Sequence, residues 1–194
     1  MVAKSIQQLD IQIVKCNKCP LLVSWRKEVA QTKRKSYQDE KYWGKPVSGF
    51  GDENPTTLIL GLAPGAHGAN RTGRIFTGDS SGDWLYKALF RNGVAKIETS
   101  KSIDDGQKLN GTRIGCAVRC APPDNKPTIE ERDQCIPYLR EELREILPSV
   151  KAFVALGKFA WDALLKELNN LGHDIPKKKF GHNVTIKYKE GKSN

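Results

Sequence analysis

No run of residues in this 194-residue chain approaches the ~20 apolar positions of a membrane span, so no membrane partner is expected. The opening stretch from Met1 to Lys15 lacks the uninterrupted apolar core of a signal peptide. Both absences point to an intracellular protein of the cytoplasm or nucleoid. Gly-Lys-Ser stands only at residues 191–193, without the glycine five positions earlier that a phosphate loop needs, and G-x-G-x-x-G does not occur, which argues against a nucleotide-binding α/β enzyme that grips phosphate through a glycine loop. Internal repeats, low-complexity tracts and a second C-x-x-C are also missing. Acidic residues are scarce, with 22 Asp plus Glu against 32 Lys plus Arg, for a formal net charge of +10. Such a balance suits nucleic acid or an anionic surface, although Lys33-Arg34-Lys35 and Lys177-Lys178-Lys179 also read as ordinary solvated clusters.

What the chain does have is a concentration of glycine. Residues Gly61 to Gly82 hold six of its 17 glycines, directly after the apolar run Leu58-Ile59-Leu60. A buried strand over residues 56–60 is expected to feed this loop, and loops at strand ends are where α/β proteins bind ligands. Among the glycines stand His67, Asn70, Arg71, Arg74, Phe76, Thr77 and Asp79. Together they offer a ring for stacking, cations for phosphate and a carboxylate.

Strand and helix patterns alternate from there on, predicting a layered α/β domain with a mainly parallel sheet. Helical spacing runs through residues 83–90, and a strand is expected over 113–118. Thr128 and Glu131 form a capping box that opens a helix towards Ile146. Residues 152–156 read as a buried strand, Gly157 turns into a helix, and the alternation from Val184 to Tyr188 predicts a further strand. The first 55 residues are less regular: a short helix around Ile6 to Val14, a cysteine pair, and a basic, aromatic stretch through Tyr37, Tyr42 and Trp43. The length fits one domain spanning 1–194, with 1–55 as an N-terminal basic and cysteine-bearing segment and 56–194 as the α/β core.

Cysteines in a reducing compartment are ligands, packing residues or catalytic groups before they are disulfides. Cys16 and Cys19 form a C-x-x-C pair, and Cys120 and Cys135 bracket a loop and the first turns of a helix. Two ligands from each place could close a four-thiolate site for zinc or for an iron–sulfur cluster. A redox dithiol and scattered reduced thiols are the other readings. Cys116 lies inside an expected strand and is most simply a small buried hydrophobe.

GLAPGAHGANRTGRIFTGD at 61–79, VRCAPPDNKPT at 118–128 and CIPYL at 135–139, together with Cys16 and Cys19, resemble the uracil-DNA glycosylase superfamily. The similarity is greatest to its type-5 (type B) iron–sulfur branch and spans nearly the whole chain in the right order. The resemblance implies an α/β/α sandwich, a [4Fe-4S] cluster on Cys16, Cys19, Cys120 and Cys135, and hydrolysis of the N-glycosidic bond of uracil or other deaminated bases in single- or double-stranded DNA by a monomer. Phe76 matches the position that stacks on the everted base, and the backbone at Gly61, Leu62 and Ala63 would face the base edge. Asp79 matches the acidic residue that stabilises the sugar and orients water; Asn125 matches a second active-site position. Several glycosylase families carry an acid where this chain has Ala63. Cys116 stands where type-4 relatives have a base-reading Asn, which implies looser base selection. His67 is a further candidate, as an acid or an electrostatic partner, and Asn70 and Arg71 beside it are placed with substrate binding.

Each residue also has an ordinary role open to it. Phe76 could be core, Asp79 the N-cap of the following helix, and Asn125 plain turn chemistry. The family's C-terminal His-Pro-Ser motif is missing: His173 and His182 lack the following Pro-Ser before the sequence stops at Asn194. The sheet is therefore expected to be incomplete at its C-terminal side, with apolar surface exposed there. A truncated, non-catalytic iron–sulfur module that binds DNA is the alternative reading.

Overall fold

A computed structural model describes residues 5–188. The apolar run before the glycines forms strand β2 (Thr57–Gly61), which lies inside a four-stranded sheet of order β1-β3-β2-β4. β2 pairs in parallel with β3 (Thr112–Cys116) on one side and with β4 (Ala152–Ala155) on the other. The short β1 (Phe50–Gly51) adds to β3 antiparallel. In this register Ile59 stands between Ile114 and Val154.

Alternation along β2 divides the core in two. Leu58 and Leu60 pack with Ile6 of α1 (Ile6–Val14), Leu139 and Leu143 of α5 (Ile129–Ile146) and Leu164 of α6 (Lys158–Asn170). Ile59 belongs to the other cluster, with Ile75, Ile114 and Tyr86 of α4 (Ser80–Arg91). Helices on both faces of a mainly parallel sheet give the expected three layers. α5 begins as the sequence indicates: Thr128 Oγ1 accepts from the Glu131 N–H at 3.1 Å, and Glu131 Oε2 accepts from the Thr128 N–H at 2.8 Å.

The structure departs from the sequence reading at two places. The segment after the cysteine pair is an ordered helix, α2 (Pro20–Thr32), which buries Leu22, Arg26 and Val29. An arginine on the buried stripe breaks the apolar periodicity by which such a helix is recognised. Val184 to Tyr188, expected as a strand, belongs to no strand. Alternation only selects which side chains face inward, while a strand also needs a ladder partner. Ile186 and Tyr188 do turn inward and pack against the β2–α5 core. They share the face of β4 that carries Phe153 and Ala155, while Val154, on the other face, stays 42% exposed. An apolar groove of ≈ 290 Å³ runs between β4, α6 and this segment.

β3 and the segment just after it each turn a buried arginine toward α5. Arg113 Nε donates to Glu142 Oε1 at 2.7 Å and its Nη2 to Asp10 Oδ1 at 2.7 Å, while Arg119 Nη2 donates to Glu142 Oε2. Burial alone would raise the Glu142 pKa, but the two guanidinium groups outweigh it and hold the carboxyl below its ordinary value. Removing that charge strands two buried cations. Glu142→Gln should therefore lower unfolding free energy by about 3–5 kcal/mol, the cost of breaking a buried pair, read from a chemical denaturation midpoint against the wild-type chain.

Candidate active site

The β2–β3 ladder ends at Gly61 and Cys116, and the glycine loop leaves the sheet there. Leu62, Ala63, Gly65, His67, Phe76 and Asp79 line an open cleft of ≈ 680 Å³ beyond the strand end. Asn125 reaches the same cleft from the loop before α5. Tyr37, Arg34, Ser80, Ser81 and Leu156 complete the wall. The sequence reading had not assigned these five, although the basic, aromatic run from Lys33 to Trp43 was a signal for the first two.

Phe76 and Asp79 hold conformations that the glycines make possible. Phe76 has φ 50, a left-handed backbone that a bulky residue rarely adopts. Its ring covers Gly61, where a Cβ would stand 2.8 Å from Phe76 Cζ. Asp79 is the N-cap of α4, with Oδ1 accepting from the Gly82 N–H at 2.9 Å. Its Oδ2 lies over the turn from Gly65 to Gly68, where a side chain at Gly68 would overlap it. Among the described residues that second oxygen accepts no hydrogen bond. The cap and the free oxygen coexist in one carboxylate.

His67 Nδ1 lies 3.0 Å from the Tyr42 hydroxyl, which also accepts from the Arg34 N–H at 3.3 Å. Burial lowers the His67 pKa below the ordinary value, and the charges of Arg34 and Arg71 push the same way. All three effects favour the neutral imidazole over the charged one.

Asn70 and Arg71, expected to touch substrate, do not line this cleft. Asn70 is fully buried, and its Nδ2 donates to the Arg26 carbonyl at 3.2 Å. Arg71 pairs with Glu40, donates to the His67 carbonyl at 2.7 Å and the Gly78 carbonyl at 2.8 Å, and stacks 3.9 Å from the Tyr37 ring centre. Arg74 is likewise spent internally, on Asp105 at 2.6 Å, Ser100 Oγ at 2.8 Å and Thr77 Oγ1 at 3.0 Å. The arginines of the motif brace the loop. Gly61 sits under the Phe76 ring rather than on the cleft wall.

A second convergence lies behind the cleft. Cys120 and Cys135 are buried together with Leu22 and Val118, and Cys19, Ala63 and Tyr138 pack against them. Cys16 is close enough to act on Cys19, Cys120 and Cys135 electrostatically. Burial pushes the Cys120 thiol up to about 12 and the Cys135 thiol up to about 11. The Arg119 N–H donates to Cys135 Sγ at 3.2 Å. Among the described residues, no three His, Cys, Asp or Glu side chains are grouped so as to hold a metal ion. Cys116 is apart from this group in role, buried at 2% exposure in the core beside Ile59 and Ile114.

With this geometry in place, the comparison with known proteins is decisive. The family profile described as the uracil DNA glycosylase superfamily matches residues 48–189, most of the chain. The protein belongs to the uracil-DNA glycosylase superfamily. Its relatives include a type-5 uracil-DNA glycosylase of Mycobacterium bovis, 50% identical over 189 residues, covering 97% of this chain and 70% of the relative. A type-5 uracil-DNA glycosylase of Thermus thermophilus is 51% identical over 150 residues, covering 77% of this chain and 67% of the relative. A type-4 uracil-DNA glycosylase of Pyrobaculum aerophilum is more distant, at 30% identity over 162 residues, 83% of this chain and 65% of the relative.

For this superfamily member the state of His67 is directly measurable. An NMR titration should place its imidazole midpoint below the ordinary histidine range. Because burial is the larger cause and Arg34 the next, Arg34→Gln should raise the midpoint only part of the way back.

Proposed function

We propose that this protein is a DNA repair glycosylase that hydrolyses the N-glycosidic bond of uracil, and of other deaminated bases that the cleft admits, after flipping the nucleotide out of DNA. One observation carries the reading: the Phe76 ring and the free oxygen of Asp79 line a common cleft at the end of β2.

A base stacked in a duplex cannot be reached, so it must be extruded at a cost of about a few kcal/mol. The surplus of positive charge on the chain favours phosphate contact that holds the distorted strand. Arg34, on the cleft wall, is better placed for it than Arg71 or Arg74, which are already paired. Inside the cleft the everted base stacks on Phe76. Its edge then meets the backbone at Leu62 and Ala63, beyond the paired part of β2.

As the bond to the anomeric carbon lengthens, the electron pair leaves with the base and the sugar becomes cationic. Asp79 Oδ2 stabilises that cation and orients the water whose oxygen bonds to the anomeric carbon; a water proton is released. Amide N–H groups aimed at the base carbonyl take up the departing negative charge as an oxyanion hole does. The neutral His67 imidazole can donate one hydrogen bond to the leaving base without placing a fixed cation in the cleft. Asn125, which lines the same cleft, positions the water or the sugar. Ala63 cannot orient water, which leaves that task to Asp79.

Cys16, Cys19, Cys120 and Cys135 are the residues to hold a [4Fe-4S] cluster. Cys19, Cys120 and Cys135 pack in one patch, and four cysteine thiolates are the ligand set that a [4Fe-4S] cluster takes. When bound, the cluster supplies no step of the hydrolysis; it ties the N-terminal segment to the loop that carries Asn125.

Incubation of the protein with a duplex containing one uracil, followed by hot alkali, should cut the strand at that position. Asp79→Asn should lower the cleavage rate by about 10²–10⁴-fold while DNA retention stays within a few-fold of wild type. Intact strands at high protein concentration, with salt-sensitive DNA retention, would instead show a binding module. Cys120→Ser should separately abolish bound iron and sulfide; a colourless wild-type protein carrying zinc would refute the cluster.

A further inference from the structure

Five arginines are buried: Arg26, Arg71, Arg74, Arg113 and Arg119. Four of them face a carboxylate. Arg71 has Glu40, Arg74 has Asp105, Arg113 has Asp10 and Glu142, and Arg119 shares Glu142. Arg26 is 2% exposed, yet among the described residues it has no anionic partner.

Its hydrogen bonds all go to neutral oxygens. Nη1 donates to the Gly44 carbonyl at 2.7 Å, and Nη2 to Asn17 Oδ1 at 2.8 Å and to the Cys16 carbonyl at 3.3 Å. Nε has no partner. A guanidinium stays charged at any physiological pH, and an uncompensated charge removed from water is strongly unfavourable. In the interior such a charge is stabilised by an anion beside it.

Position says which anion. Two of the three acceptors, Cys16 and Asn17, belong to the C-x-x-C turn itself, and α2, which carries Arg26, begins directly after Cys19. The Arg26 charge reaches Cys120 across the patch, where it opposes the effect of burial on that thiol. An iron–sulfur cluster on four thiolates carries net negative charge, and its reduction potential depends on nearby charge and hydrogen bonds.

We propose that Arg26 is the built-in counter-cation of the iron–sulfur cluster: it neutralises the cluster from the interior side and clamps the Cys16 to Cys19 turn around it. This rests on the four cysteines holding such a cluster. Arg26 is a positioning residue for that group and takes no part in bond cleavage. Asn17 keeps the turn in register without competing for the charge, because its amide oxygen is neutral.

The test uses purified, cluster-loaded protein, with iron and sulfide content measured first, then cluster loss to an iron chelator followed by visible absorbance, and the cluster's reduction potential. Arg26→Gln should lose its cluster about tenfold or more faster than wild type, the scale of a charged hydrogen bond, and its potential should fall. Arg26→Lys keeps the charge and should hold the potential near wild type. Asn17→Asp offers Arg26 a competing carboxylate at an exposed position, so it should speed cluster loss more than Lys18→Gln, an equal change of charge in the same turn. If Arg26→Gln does not fold, the comparison of Asn17→Asp with Lys18→Gln decides. Wild-type loss rate and potential in Arg26→Gln, or equal behaviour of Asn17→Asp and Lys18→Gln, would overturn the assignment. Absence of iron and sulfide from wild type would defeat the cluster reading itself.

Discussion

The carboxylate of Asp79 does two things at once, and the geometry of the cleft follows from them. Its Oδ1 satisfies the Gly82 N–H at the start of α4, which fixes the helix and the side chain relative to each other. That leaves Oδ2 suspended over the turn from Gly65 to Gly68. A residue with a Cβ at Gly68 would occupy the same space. The glycines are thus a requirement of close approach, and they explain why a catalytic candidate and a helix cap need not be competing assignments.

The bracing of the loop has the same logic on a larger scale. A backbone with φ 50 at Phe76 would relax if nothing held its flanks. Arg71 ties the His67 and Gly78 carbonyls together, and Arg74 ties Thr77 to Ser100 and Asp105. Asp105 would be raised by burial, but the bonds from Arg74 and from the Gln107 and Lys101 N–H groups hold it at about 2. Two fixed cations therefore sit in the loop without adding free positive charge to the cleft. Such strain, held by surrounding bonds, is typical of sites that must present a side chain in one orientation.

Much of this was legible in the sequence, and the parts that were not have physical reasons. Apolar runs, a capping box and glycine punctuation specify β2, α5 and α6 because those elements bury apolar residues at regular spacing; β4 forms as a strand, but it lies at the sheet edge and stays half exposed rather than buried. α2 escaped because its buried stripe is Leu22, Arg26 and Val29, and a charge at a core position looks like surface until its surroundings are known. The same blindness assigned Arg71 and Asn70 to substrate. Residue type shows that a group can bind phosphate or a base edge; only the fold shows that its donors are already used. Val184 to Tyr188 failed differently, since inward-facing alternation survives in a segment that pairs with no strand. Asp79, Phe76 and Asn125, by contrast, came from motif resemblance and line one cleft.

The cysteine patch and the cleft are not independent structures. The loop that carries Asn125 leaves from Cys120 and enters α5 at Ile129, with Cys135 in the second turn of that helix, so whatever holds those two thiols limits the span of the loop. Asp124 and Asn125 both have left-handed backbones, φ 51 and 55, a conformation that Asp and Asn adopt readily in turns. On the other side, Asn70 of the glycine loop donates to the Arg26 carbonyl, and Arg26 grips the Cys16 to Cys19 turn. Both walls of the cleft are therefore anchored to the thiol patch, one through Cys120 and Cys135 and the other through Arg26. A group bound there would act on the cleft through geometry alone, by fixing the loop that carries Asn125 and the turn that Arg26 grips.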